Sequence, residues 1–310
     1  MKLVFFGSPE FAVPSFSALH NSEHEILAVV TAPDKRAGRG KKYISLPIKL
    51  AADKYNYPIY QPLDLKDPEF LSFMNVLDAD IFIVVAYRIL PEEVICIPRE
   101  GAVNIHASLL PKYRGPAPIH HAILNGEKET GVTIFRIEKK VDTGDILLQE
   151  RFILNNNITT GEVYDNLANL GARLVLTTLD YFKTNQLVPV AQEHINATSA
   201  PKISSKDYLI HWHDSAETIH NQIRAFSPIP GAYTYFQKKR LKLFNSEIKE
   251  NNSTQNLQPG EISFSNDCLM VGTGTVVIHI NEIQLEGKNR LPVRSFVSGF
   301  PQIQDYKFGY

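Results

Sequence analysis

"DIFIVVAYR", residues 80–88, decides the fold. Six apolar residues follow an aspartate without a polar break, the pattern of a strand covered on both faces, as strands of a parallel sheet are. Upstream, "KLVFFG" (2–7) and "EILAVVTA" (25–32) have the same character. Between them, "PEFAVPSFSALHNS" (9–22) reads as a helix despite Pro14. "PIKLAADKYN" (47–56) and "PEFLSFMNVLDA" (68–79) read as helices on either side of a short strand, "PIYQ" (58–61). Downstream, "GAVNIHA" (101–107) is the next strand, and Pro116 is suited to open the helix after it. Strands alternating with helices of this length predict an α/β fold with a mostly parallel sheet and right-handed crossovers.

"TGVTIFRIEK" (130–139) and "DILLQERFIL" (145–154) then make a β-rich stretch. Residues 159–184 form a long amphipathic helix that Thr159 or Thr160 could cap, with Glu162 in its first turn. The pattern breaks down in "LVPVAQEHINATSAPKISSK" (187–206), which reads as a linker. One helix, "SAETIHNQIRAF" (215–226), precedes short, regularly spaced strands that predict a small β-barrel. "NNSTQNLQ" (251–258) reads as a polar, mobile loop. The expected division is a first domain over 1–189, a linker over 190–206 and a barrel domain over 207–310.

At 310 residues, 44% hydrophobic and 21% charged, the chain has the composition of a soluble globular protein long enough for two domains. A net charge of −1 gives no global argument for nucleic acid or membrane, so any polyanion site would be a local patch. Cys96 and Cys268 stand alone, which argues against a disulfide framework or zinc site and for a reducing cytoplasm. "MKLVFFGSPEF" holds too short an apolar run for a signal peptide, and no run approaches the roughly 20 residues of a membrane span. Nucleotide motifs also fail. "AGRGKK" (37–42) lacks the first glycine and the Ser/Thr of a phosphate loop, and only one glycine, Gly7, ends the first strand.

Asn104 and His106 are two apart on a strand, so they point to one face, at the carboxyl end where open α/β sheets place their sites. An amide donor and an imidazole together suit acyl transfer: the one stabilises an oxyanion and the other moves protons. "KKVDTGDILL" (139–148) supplies Asp142 as a group to orient and charge-balance the histidine, with Asp145 as the competing candidate. Taken singly, Asn104 could be a turn residue, His106 a satisfied half-buried histidine and Asp142 part of an Asx-turn.

"NIHASLLPKYRGPAPI" (104–119) is similar to the Asn-x-His…Ser-Leu-Leu-Pro-x-Tyr/Trp-Arg-Gly signature of the folate-dependent formyltransferases, and "VDTGD" (141–145) resembles their Asp-bearing loop. "FFGSPEFAVPSF", "APDKRAGRGKK", "IRAFSPIPGAYT", "PGEI" and "GKNRLPV" extend the resemblance over essentially the whole chain, toward the members of that family that act on methionyl-tRNA. The resemblance implies a Rossmann-like formyltransferase domain followed by an OB-like barrel that assists tRNA binding. It implies that Asn104, His106 and Asp142 are the catalytic trio. Ser108, Leu109, Leu110 and Pro111 would line the tetrahydrofolate site, near the backbone of Arg88 to Leu90. It implies 10-formyltetrahydrofolate as donor, the α-amine of methionyl-initiator tRNA as acceptor, no metal, and a monomer in the cytoplasm. One departure is visible: "AYRILP" (86–91) is a residue shorter than the family's usual run and has Arg88 at the expected glycine.

"PDKRAGRGKK" (33–42) carries five cations against one acid, Asp34. On composition it is a solvated surface loop; the resemblance implies instead that Arg39, Lys41 and Lys42 meet the tRNA. Residues 207–310 have ten Lys/Arg and ten Asp/Glu, so only "KKRLK" (238–242) and "GKNRLPVR" (287–294) could form a basic patch. The aromatics of "GAYTYF" (231–236) are expected in the barrel core. The alternatives are a sugar-nucleotide or other amine formyltransferase, against which the basic loop discriminates, and a non-catalytic nucleic-acid-binding protein, which would have no use for the trio.

Overall fold

The computed structural model describes residues 1–37, 42–249, 257–265, 268–300, 302–303 and 306–309. Residues 251–256 of the polar loop lie outside that description. The chain divides into two compact units, and neither is one continuous segment. The first comprises residues 1–118, 130–153 and 164–200; the second comprises 119–129, 154–163 and 201–310.

In chain order the first part of the sequence forms β1 (Lys2–Gly7), α1 (Val13–His20), β2 (Glu25–Val30), β3 (Lys35–Ala37), β4 (Lys42–Ile44), α2 (Pro47–Lys54), β5 (Ile59–Tyr60), α3 (Pro68–Val76), β6 (Ile81–Val85), α4 (Glu92–Ile95), β7 (Ala102–His106), α5 (Pro118–Leu124), β8 (Glu129–Arg136), β9 (Ile146–Ile153) and α6 (Thr160–Lys183). A seven-stranded sheet runs in the order β5-β2-β1-β6-β7-β8-β9. β5, β2, β1, β6 and β7 are parallel, and β8 joins β7 antiparallel. The order reverses between β1 and β6, which opens a crevice beyond their carboxyl ends. Val4 and Phe6 of β1, Ala28 and Val30 of β2, and Phe82 and Val84 of β6 share one cluster with Met74 of α3 and Val94 of α4. These positions alternate along each strand, as a sheet face requires.

Pro14 sits in the first turn of α1, where its missing N–H costs nothing. The helix after β7 begins at Pro118, not Pro116. Pro118 holds Ala117 away from the helical region, so a helix can start only at the second proline. At α6, Thr159 and Glu162 cap reciprocally. The Thr159 N–H and hydroxyl donate to Glu162 Oε2 at 2.8 and 2.7 Å, and the Glu162 N–H points back to Thr159 Oγ1 at 3.4 Å. The Thr160 hydroxyl instead donates to the Ala225 carbonyl.

Residues 190–200, polar enough to read as linker, belong to the first unit. Val190 exchanges two backbone hydrogen bonds with Ile146, and the Ala200 N–H donates to the Arg114 carbonyl at 2.7 Å. No helix among the described residues is long and apolar enough to cross a membrane.

The second unit adds α7 (Ala216–Ala225), β10 (Ala232–Phe236), β11 (Lys239–Glu247), β12 (Ile262–Ser265), β13 (Cys268–Val271), β14 (Ile278–Leu285), β15 (Leu291–Pro292) and α8 (Val293–Ser298). The strands form one antiparallel sheet, β10-β11-β14-β13-β12, with β15 on β14. Ile219 and Ile223 of α7, Phe236, Leu241, Ile280 and Phe296 of α8 meet in its core. The "GAYTYF" aromatics divide: Phe236 enters that core, while Tyr233 and Tyr235 are half-buried on the other face of β10.

Two buried polar side chains of this unit, His220 and Arg224, are held by protein partners. His220 Nε2 donates to the Asn156 carbonyl at 2.8 Å, and its Nδ1 accepts from the Ser246 hydroxyl at 2.9 Å. Arg224, 4% exposed, donates to Asn221 Oδ1 and to the carbonyls of Ile158 and Ile123.

Candidate active site

β7 lies between β6 and β8, with Asn104 opposite Val84 on one side and Phe135 on the other. Its backbone is thereby fixed on both edges, and Ala102, Asn104 and His106 share one face. Asn104 is half-buried, and its side-chain amide makes no hydrogen bond to a described residue. His106 is 6% exposed, edge-on to the Phe135 ring. Its Nε2 lies 2.9 Å from the Tyr113 carbonyl. A carbonyl only accepts, so Nε2 carries the proton, and in the neutral ring Nδ1 is the lone-pair nitrogen.

Nδ1 faces Asp142 Oδ2 at 3.9 Å. That is an ion-pair distance once the ring is protonated, but it is too long for a hydrogen bond. The Tyr113 carbonyl therefore orients the ring, and Asp142 supplies charge beside it. Asp145, the other candidate, is engaged through its backbone carbonyl with the Arg136 N–H. Asp142 is buried, with Oδ2 accepting from the Gly115 N–H at 2.8 Å. Gly115 has φ +121, and a Cβ there would stand 2.7 Å from the Ala200 carbonyl oxygen, so the turn requires glycine. Gly115 of the Pro-rich turn thus serves the site through its backbone N–H.

The turn itself is stitched from below. Thr133 of β8 donates its hydroxyl to the Ser108 carbonyl and accepts from the Leu110 N–H and from Gln149 Nε2, which uses its one donor and both acceptor positions. The Ser108 hydroxyl, fully buried, donates to the Lys112 carbonyl. Leu110 is buried as well. Of the four residues expected to line a folate site, Leu109 and Pro111 therefore keep exposed side-chain surface, while Ser108 and Leu110 build the turn.

At the neighbouring strand end, Ala86 has φ +47. The Arg88 guanidinium donates to the carbonyls of Pro62 and Leu63 and contacts the Tyr87 hydroxyl. The shortened loop is tied in this way to the segment after β5. The basic stretch, read as an irregular loop, is flanked by the antiparallel pair β3 and β4, with Ala37 opposite Lys42. Arg39 and Lys41 lie outside the described residues, and Lys42 is described only as backbone at the start of β4. Asp34, the one acid of that stretch, is held below the usual carboxylate range by hydrogen bonds from Lys49 and Gln61. Lys49 is its ion-pair partner at 2.6 Å.

A site made of a free amide donor, a lone-pair nitrogen and a carboxylate near that nitrogen can receive a developing oxyanion, take up a proton and balance the resulting charge. Sequence reasoning missed Gly115 and Gln192. The glycine after Arg114 was a usable signal, whereas an amide acting on main-chain carbonyls leaves none.

The formyl transferase family profile matches residues 1–179, and the profile of the formyl transferase C-terminal domain matches residues 202–301. A methionyl-tRNA formyltransferase from Pelotomaculum thermopropionicum is 44% identical over 311 residues, covering 100% of this chain and 99% of its own length. Among solved structures, the sugar 3N-formyl transferase WlaRD, crystallised in the presence of dTDP and 5-N-formyl-THF, superposes with TM-score 0.69 at 23% identity, covering 93% of this chain and 99% of that one. A methionyl-tRNA formyltransferase from Clostridium thermocellum superposes with TM-score 0.55 at 17% identity, covering 81% of this chain and 95% of that one. These two likenesses concern the fold.

Proposed function

Because the chain belongs to the formyl transferase family over both of its domains, we propose that the site around His106 moves a formyl group from 10-formyltetrahydrofolate to the α-amine of methionyl-initiator tRNA. The chain is a methionyl-tRNA formyltransferase, a transferase of translation initiation. The observation that carries this is identity of 44% across the full length with a relative of that activity, whereas the sugar enzyme shares only the fold.

The folate co-substrate supplies an activated one-carbon acyl group. Asn104, whose amide makes no hydrogen bond to a described residue, suits the formyl oxygen, and the partly exposed Leu109 and Pro111 suit the folate. A free α-amine has a reference pKa of roughly 7.7–8.0, so near pH 7 a useful fraction is already neutral and nucleophilic. As that amine adds to the formyl carbon, Asn104 donates to the oxygen on which negative charge grows. His106 takes the amine proton on Nδ1, because Nε2 is committed to Tyr113. Asp142, 3.9 Å away, offsets the imidazolium charge. The same Nδ1–H then protonates the departing folate nitrogen, which returns the ring to its starting form.

The basic stretch with Arg39, Lys41 and Lys42 meets the tRNA acceptor end. The second unit assists through the outer face of β10 and β11. There Tyr233 pairs with Lys242, Tyr235 pairs with Arg240, and the Arg240 guanidinium lies 4.4 Å from the Tyr233 ring centroid. Cations interleaved with half-buried rings suit nucleic acid. The deciding assay offers labelled formylfolate with methionyl-tRNA, other aminoacyl-tRNAs and nucleotide-linked amino sugars in parallel. Label appears on methionyl-tRNA; transfer to the sugars alone would reject the reading.

A further inference from the structure

We propose that Gln192 is a positioning residue for this reaction: its side-chain amide sets the backbone of the loop carrying Asp142, and through it the carboxylate beside His106. The inference rests on the role given to Asp142 above.

Asp142 has φ +55, a conformation that residues with a Cβ avoid unless their surroundings enforce it. The enforcement is visible. Gln192 is buried, and its Nε2 donates to the Asp142 carbonyl at 3.1 Å and to the Gly144 carbonyl at 2.8 Å. Its Oε1 accepts from Arg114 Nε at 3.1 Å and Nη2 at 2.6 Å. A guanidinium has no acceptor and a carbonyl no donor, so the amide can face only one way, and both of its donors are used. Gly144 lies so close to β8 that a Cβ would stand 1.9 Å from the Arg136 carbonyl oxygen. The loop is thus pressed on the sheet at one side and held by Gln192 at the other.

Segment 114–115 grips this loop twice. Arg114 acts on its backbone by way of Gln192, and the Gly115 N–H binds Asp142 Oδ2 directly. The second grip places the carboxylate correctly only if the first holds the backbone from which the side chain springs. Among the described residues Gln192 bonds to Arg114, Asp142 and Gly144 and not to His106 or Asn104, so it acts through another residue.

Gln192→Ala and Gln192→Glu, each made in the wild-type and in the Asp142→Ala background, test this by steady-state kinetics with methionyl-tRNA and formylfolate, alongside thermal unfolding. Gln192→Ala is expected to lower kcat about 10²-fold, the scale of a small misplacement of a reacting group, with both KM values unchanged. Gln192→Glu keeps the volume and the Arg114 contact but turns an oxygen toward two carbonyls, and its kcat falls at least as far. It keeps the test intact if the alanine variant unfolds. In the Asp142→Ala background neither change lowers kcat further, because no carboxylate is left to place. Wild-type kcat in folded Gln192 variants, or an equal loss in both backgrounds, overturns the proposal. Wild-type kcat in Asp142→Ala alone removes the reading of Asp142, and the proposal with it.

Discussion

His106 in the first unit and His220 in the second are almost equally buried, at 6% and 7% exposure, yet their rings are used in opposite ways. His220 has a partner on each nitrogen, and both partners are protein. His106 spends one nitrogen on Tyr113 and leaves the other facing a carboxylate beyond hydrogen-bond range. Burial alone therefore does not mark a working histidine. On the proposed mechanism, what marks it is a nitrogen with no hydrogen bond to a described residue, on the same strand face as an amide that also makes none.

The comparison breaks most easily at its larger end. His106→Ala should lower single-turnover formylation by about 10²–10³-fold with an unchanged melting curve, while His220→Gln leaves the rate near wild type. Similar losses from both substitutions would dissolve the distinction. Asn104→Ala is expected to lose about 10² in kcat, the scale of one oxyanion donor, and Asn104→Asp should do no better, since it keeps the shape without the N–H.

In the second unit the cost should be paid in stability. Arg224→Met strands the Ile158 carbonyl and Asn221 Oδ1 and takes one of two donors from the Ile123 carbonyl, and equilibrium unfolding should show a loss of about 2–4 kcal/mol with kcat retained in the folded fraction. Arg39→Ala should cut kcat/KM for methionyl-tRNA about tenfold, the worth of one charge-assisted hydrogen bond, and spare formylfolate binding. An unchanged value would take Arg39 out of tRNA recognition.

The smallest effect is a pH slope. Burial, the largest influence on His220, pushes its pKa below the ordinary value of about 6.5, opposed by its bond to Asn156. The unfolded chain then binds a proton that the folded one refuses, so this contribution is present above about pH 6.5 and is lost as pH falls. His24, His120 and His279 shift the same way, so His220→Gln should flatten the acid limb of stability without abolishing it.

The sheet is legible because β1, β2, β6 and β7 are covered on both faces and so read as unbroken apolar runs. Asn104 and His106 are legible because a strand's period of two puts them on one face. Gln192 is not, since it works on main-chain carbonyls from a stretch without periodicity. β3 and β4 are too short, at three residues each, for any pattern to form. The "GAYTYF" tyrosines follow the alternation of β10: the same period of two that puts Asn104 and His106 on one face puts Ala232, Thr234 and Phe236 inside and leaves Tyr233 and Tyr235 half-buried on the other face. The Pro-x-Pro of residues 116–118 likewise contained the true helix start.

The second unit is assembled from three separated stretches, which matters while the chain is still being made. Residues 119–129 and 154–163 leave the ribosome well before the rest of the unit, and the Ile158 carbonyl waits until a guanidinium 66 residues later has been synthesised. A fragment cut after residue 200 inherits Arg224 and His220 but none of Ile123, Asn156 or Ile158. Nascent-chain pauses and truncation boundaries on this protein therefore act on the second unit even when they fall inside the first half of the sequence.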